Sequence, residues 1–241
     1  MSLPDPQSLE EALSPRDRIK ETGEWLVEKG VKYILCCWID LLGVPKTKPV
    51  PISDWERLCL GKGPQFAVHS VSFVPELGAA DPDQIMVPDL DSLLICPWDK
   101  TCAWVFADLW WNDKPYNVCP RGAMKRVVRD CEAKGYQLYA GVEPEFIALR
   151  WKDGGFVKAM DNDPQPGEGI RPRRQAFGYD VEFSIDSMGF LGELTDILDG
   201  ELDWDLHDVV AEGAYSQFEL DFGYTDVLRM ADRLVFLRIL L

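Results

Sequence analysis

Hydrophobic and polar positions change rhythm several times along the chain, and each change predicts an element. In "LSPRDRIKETGEWLVEKG", apolar residues recur at helical spacing. Ser14 is placed to cap that helix, Pro15 falls in its first turn and Gly30 stops it. "VKYILCCWIDLLGVPKTKPVPI" then reads as a strand, a turn at Leu42–Gly43 and a second strand. "DPDQIMVPDLDSLLICPW" and "TCAWVFADLWW" add further strands, separated by Pro and Asp turns. In "NVCPRGAMKRVVRDCEAKG", Pro120 suits the first helical position. Met124, Val127, Val128 and Cys131 form an apolar stripe, and Gly135 ends the helix.

The second half alternates again. "YQLYAGVEPEFIALR" is expected as one strand, and residues 153–175, rich in Gly, Pro and charge, as a long loop or exposed hairpin. "DVEFSIDSMGFLGELTDIL" predicts a helix weakened by two glycines. "SQFELDF" predicts a strand and "YTDVLRMADRLVFLRILL" a final helix. The apolar run to the last residue, without a polar tail, is expected of a chain cut short. The elements together predict an α+β protein with a strand-rich unit over residues 1–116 and a second unit over 117–241.

Composition narrows the function classes. With 46% hydrophobic residues and nine tryptophans among 241 residues, the chain can bury a core. The formal net charge of -16 disfavours nucleic acid, whose phosphates it would repel. No apolar run reaches the roughly 18 residues of a membrane span, and the polar N-terminus resembles no targeting peptide, so a cytoplasmic protein without membrane contact is expected. Seven cysteines without a Cys-x-x-Cys read as small buried hydrophobes. Gly61 and Gly63 in "GKG" lack the strand and helix of a phosphate-binding loop and read as a turn.

The candidate chemistry lies in carboxylates. Side chains two apart on a strand face the same way, so Glu143 and Glu145 would stand about 6.6 Å apart at their stems. In "SQFELDF", Gln217, Glu219 and Asp221 share one face while Phe218, Leu220 and Phe222 share the core face. Glu212 lies seven residues before Glu219, across a turn at Gly213. Four glutamates from two strands would suit a hard divalent cation, Mg²⁺ or Mn²⁺. Spacing alone leaves a solvated polar face open as well. It also leaves open a glycoside hydrolase with paired glutamates, although that reading explains neither Glu212 nor Glu219.

Several motifs in one order resemble the glutamine synthetase family, and its γ-glutamylmethylamide synthetase branch most closely. They are "WIDLLGVPKTKPVP", "DPDQIMVPDLDSLLICPWDKTCAWVFADL", Gly141–Phe146, Glu212 with Gln217-Phe218-Glu219, and Tyr224, Asp226, Leu228, Ala231 and Asp232. The resemblance implies a β-grasp-like N-terminal domain followed by the first part of the catalytic domain, an antiparallel sheet with flanking helices that breaks off at the C-terminus. It implies an ATP-dependent ligase that joins glutamate to ammonia or a small amine through γ-glutamyl phosphate, with Mg²⁺ or Mn²⁺, in a homo-oligomeric ring. Glu145, Glu212 and Glu219 would hold one ion and Glu143 would contribute to a second. His69 would face a neighbouring subunit's substrate; no catalytic group is assigned.

Departures qualify that picture. Ala211 stands where the family has His, Tyr215-Ser216 where it has Asn-Gly, and Ala67 where glutamine synthetases place an ammonium-site Asp. The last change favours an uncharged or alkylated amine. The family's later motifs are absent from this sequence, so the alternative is a catalytically inactive homologue that binds metal or associates with other subunits.

Overall fold

The computed structural model describes Pro6, residues 8–70, Gly78, and residues 80–159, 178–214 and 216–241. It divides into two compact units, one of residues 1–138 with 226–241 and one of 139–225.

The first unit is built on a curled mixed sheet of seven strands. Tyr33–Ile39 pairs antiparallel with Pro45–Pro51 and parallel with the first half of Cys102–Trp111. The second half of that long strand pairs antiparallel with Gln84–Pro88, which in turn carries Gln65–Phe66. Two short strands, Leu94–Ile95 and Lys114–Pro115, complete the sheet. Pro45, Pro49 and Pro51 explain why their strand sits at the edge. They share one parity, so their missing N–H groups fall on the unpaired side. The turn before it is closed by Asp40, whose carboxylate accepts from the backbone N–H of Leu42 and of Val44, with Gly43 at φ +74. A parallel central pair, antiparallel flanks and a covering helix make this unit β-grasp-like.

The covering helix is Arg16–Glu28. Pro15 occupies its cap position without a side-chain bond, so Ser14 does not cap it, while Gly30 at φ +81 stops it as expected. Ile19 and Leu26 bury against Trp55, whose Nε1–H donates to the Ile19 carbonyl at 2.8 Å. The core gathers Ile34, Cys36, Trp38, Val50, Met86 and Val105. All seven cysteines are free, and five are buried. Burial pushes the thiols of Cys37, Cys59 and Cys96 up to about 12, which suits inert hydrophobes.

Helices Pro120–Ala133 and Val227–Leu240 pack on this unit, the second capped by Asp226, which accepts from the Arg229 N–H. Between them lies a buried ionic network. Arg121 donates to Asp89, Asp108 and Asp232 at 2.6 to 2.8 Å, and Lys125 donates to Asp89 and Asp108 at 2.8 and 2.5 Å. Arg121 is 6% exposed, so its charge exists there only because the aspartates surround it. Burial alone would raise the Asp89 carboxyl. The Lys125 and Arg121 charges outweigh burial and hold it well below the usual carboxylate range.

The second unit centres on a three-stranded antiparallel sheet in the order Leu206–Ala211, Gln217–Phe222, Glu145–Ile147. Phe146, Phe218, Leu191 and Ala211 pack beneath it, with Leu191 from the helix Val181–Thr195. That helix continues as a π-helical turn, Asp196–Glu201. The expected strand over 136–150 is broken: Tyr139–Ala140 and Glu145–Ile147 flank a stretch without ladder pairing. Pro144, which lacks an N–H, lies in that stretch. Leu149–Lys152 and Gly155–Lys158 form a hairpin within the expected loop; residues 160–175 lie outside those described. Leu206–Ala211 has no counterpart among the expected strands, because "LHDVVA" shows neither alternation nor flanking turn residues strong enough to mark it.

Candidate functional site

The sheet of the second unit carries its apolar side chains on one face and its carboxylates on the other. Along Gln217–Phe222 the two alternate strictly: Phe218, Leu220 and Phe222 are buried, and Gln217, Glu219 and Asp221 are half-buried. The neighbouring strands add to the polar face. Glu145 stands directly opposite Glu219 on one side. On the other, Asp208 stands opposite Asp221, and the Glu212 N–H donates to the Gln217 carbonyl at 2.9 Å, so Glu212 opens the hairpin at the level of Gln217.

Glu143 lies beyond the regular ladder, yet its stretch keeps the same register. Leu220 N–H donates to the Pro144 carbonyl at 3.3 Å and Phe222 N–H to the Val142 carbonyl at 3.5 Å. That count sets Glu143 level with Asp221. Glu143, Glu219 and Asp221 each offer a carboxylate oxygen, and the three atoms lie within 4.8 Å of one another.

Carboxylates this close repel one another, and the flanking acids Glu212 and Glu145 add to the crowding about Glu219. A hydrogen bond with Glu212, then desolvation, then the charges of Asp221, Glu212 and Glu145 push the Glu219 carboxyl up to about 7. Gln217 turns its amide to Glu145 and donates from Nε2 to Oε2 at 2.5 Å, which neutralises none of the charge but fixes the carboxylate. One oxygen stays unsatisfied: Asp221 Oδ1 is buried without a hydrogen-bond partner among the described residues. A buried anionic oxygen without a donor is costly, and a cation among the three carboxylates is the group that would satisfy it. Oxygen-only donors of this kind suit Mg²⁺ or Mn²⁺ and not a soft metal.

The structure thus brings the four expected glutamates to one sheet face but draws its tightest group differently. Glu143 and Glu219 stand in it with Asp221, while Glu145 adjoins Glu219 from one flanking strand and Glu212 from just past the end of the other. Asp221 shares the parity of Glu219, and that signal was readable in "SQFELDF". His69 sits elsewhere, exposed on the helical turn Val68–Ser70 of the first unit. His207 is also exposed, its Nε2 3.4 Å from Asp205 Oδ1. Ala211 is buried in the apolar cluster; Tyr215 lies outside the described residues.

Residues 117–241 match the family model for the glutamine synthetase catalytic domain. Glutamine synthetase from Rhizobium meliloti (strain 1021) is 31% identical over 209 residues, which are 86% of this chain and 44% of that protein. Glutamate--methylamine ligase from Methyloversatilis universalis is 29% identical over 220 residues, 90% of this chain and 47% of that protein. A solved GmaS/ADP complex superimposes with a TM-score of 0.77 at 28% identity, covering 90% of this chain and 47% of that one. The chain therefore spans about half the length of the relatives it matches. More than half of its own residues fit the family's catalytic-domain model, and the carboxylate-lined sheet lies within that match; the chain belongs to the glutamine synthetase family.

Proposed function

We propose that the chain contributes the metal-binding carboxylates of an ATP-dependent ligase that forms a γ-glutamyl amide from glutamate and ammonia or a small amine. The observation that carries this reading is the set Glu143, Glu219 and Asp221, with one buried Asp221 oxygen that has no donor among the described residues. Family membership supports ligase chemistry, the methylamine ligase relative supports a small amine as acceptor, and the ADP complex of GmaS supports a nucleotide.

In the proposed reaction, the terminal phosphoryl group of ATP passes to a γ-carboxylate oxygen of glutamate and ADP leaves. The amine nitrogen then attacks the acyl carbon, phosphate departs with the C–O bonding pair, and the nitrogen gives up a proton. A divalent ion bound by these carboxylates would supply charge neutralisation for the phosphates. The chain's own part is to hold the ligands in place. Glu219 and Asp221 are fixed by a strand paired on both sides, Glu145 is clamped by Gln217, and Glu212 meets Glu219 in a hydrogen bond. The apolar face beneath keeps that strand flat against Phe146 and Leu191, so the acids cannot splay apart to relieve their repulsion.

Titration of Mn²⁺ into the purified chain, followed by calorimetry and by the ion's paramagnetic resonance, tests the reading. Saturable binding that is lost in a Glu145→Gln/Glu219→Gln double variant is expected. A folded chain that shows none would leave the inactive homologue as the better reading. Phosphate release from ATP with glutamate and methylamine, compared with ammonium, then asks for the acceptor.

A further inference from the structure

The first unit contains a cavity of about 450 Å³ whose lining has the opposite charge to the chain as a whole. We infer that it is a binding site for a phosphoryl group, distinct from the carboxylate face. Lys125, Arg126 and Arg129 of the Pro120–Ala133 helix line it, as does Lys114 of the short strand that pairs with Trp111; the Lys125 ammonium is itself held by Asp89 and Asp108. Lys125, Arg126 and Arg129 follow helical spacing, so they form a cationic stripe beside the helix's apolar one.

Among the described residues that line the cavity, Asp108 is the one carboxylate. It is already engaged, at 2.6 Å by Arg121 and at 2.5 Å by Lys125. Arg126 donates from Nη2 to the Asn117 carbonyl at 2.9 Å, a neutral acceptor, and no carboxylate among the described residues pairs with Lys114 or Arg126. In a chain of net charge -16, Lys114 and Arg126 thus stand at this concavity without a carboxylate partner among the described residues. A guanidinium fork and an ammonium at a cavity of ligand size fit a phosphoryl group. The apolar part of the wall, which includes Leu109 and Pro115, leaves room for an attached organic moiety.

The site needs no divalent ion, so it can be tested apart from the ligase reading. Calorimetric titration of pyrophosphate and, separately, AMP would be run in excess chelator on the wild type, on Lys114→Ala/Arg126→Ala and on Glu145→Gln/Glu219→Gln. Lys114→Ala alone serves where the double change impairs folding, which a circular-dichroism melt reports. The expected result is one saturable site, weakened at least about 10-fold by loss of the two cations and unchanged by loss of the two glutamates. Equal affinity for the two probes identifies a site that reads the phosphoryl group only; tighter AMP shows that the apolar wall takes part. No binding of either probe, or binding indifferent to Lys114 and Arg126, overturns the inference.

Discussion

Arg121 and Asp232 stand 111 positions apart in sequence and meet in a two-armed ion pair. Nε donates to the carboxylate at 3.0 and 3.3 Å and Nη2 to Oδ2 at 2.8 Å. The pair ties the start of the Pro120–Ala133 helix to the Val227–Leu240 helix, while Nη1 donates to Asp108 and Nη2 also donates to Asp89. Removing the arginine leaves three acids facing one another with only Lys125 among them. Arg121→Ala should therefore cost about 3–5 kcal/mol in urea unfolding. Arg121→Lys should fail to restore most of it, because one ammonium cannot serve three carboxylates in fixed directions. A loss below about 1 kcal/mol for Arg121→Ala would show that the network does not hold the unit together.

Acid should dissolve the same network in a stated direction. Asp89 is held charged in the fold by Lys125 and Arg121 against the burial that opposes it, so its folded pKa lies below its unfolded one. Between those two values the unfolded chain binds more protons than the folded one. The stability it contributes is thus complete above about pH 4 and is lost as the pH falls through that range. Melting temperatures from pH 7 down to pH 3 should drop more steeply for the wild type than for Asp89→Asn, which starts lower. Parallel curves would remove Asp89 as a source of acid sensitivity.

How far the sequence could be read follows from what each residue answers to. The helix end signals at Gly30, Pro120 and Gly135 and the alternation in "SQFELDF" are local, and the structure keeps them, whereas Ser14 supplies no cap. Asp232 lies in a stretch that resembles a family motif and Arg121 in a helix read from its apolar stripe, yet nothing local says that each exists to neutralise the other; only the fold brings them together. The strand Leu206–Ala211 escaped notice because its partner, not its own pattern, makes it a strand. The carboxylate face was legible to the extent that parity and register are. Asp221 belonged to it by parity, but the burial of its Oδ1 without a partner among the described residues depends on the folded surroundings.

Gly23 gives a case in which helix propensity predicts the wrong sign. It lies inside Arg16–Glu28, where alanine is ordinarily about 1 kcal/mol more favourable. A Cβ there would stand 2.7 Å from Cδ1 of Trp55, a ring that is buried and fixed by its bond to the Ile19 carbonyl. The ring cannot retreat without losing that bond, so Gly23→Ala should destabilise by about 1–3 kcal/mol. A Gly23→Ala/Trp55→Phe variant should recover part of the loss relative to Trp55→Phe alone, because the smaller ring yields the space. Stabilisation by Gly23→Ala would show that the helix can shift away from Trp55.

Glu145 and Glu219 face each other across two strands, and like charges so placed oppose the pairing that joins them. The two roles of the glutamates, in the metal-free fold and in metal binding, therefore carry opposite signs. In chelator, Glu145→Gln should melt no lower than the wild type, since it removes a repulsion while leaving an amide that can still meet Gln217. In Mn²⁺, the wild type should gain melting temperature with ion concentration, as any ligand that binds only the folded state requires, and the variant should gain less. Asp221→Asn separates this from a general effect of charge. It removes one negative charge, as Glu145→Gln does, but from the oxygen that has no donor, so it should lower affinity roughly 10-fold or more. If Asp221→Asn bound Mn²⁺ as tightly as the wild type, the buried oxygen would not be a ligand. The ion would then have to be held by Glu145, Glu212 and Glu219, the set that the family resemblance assigns to one ion.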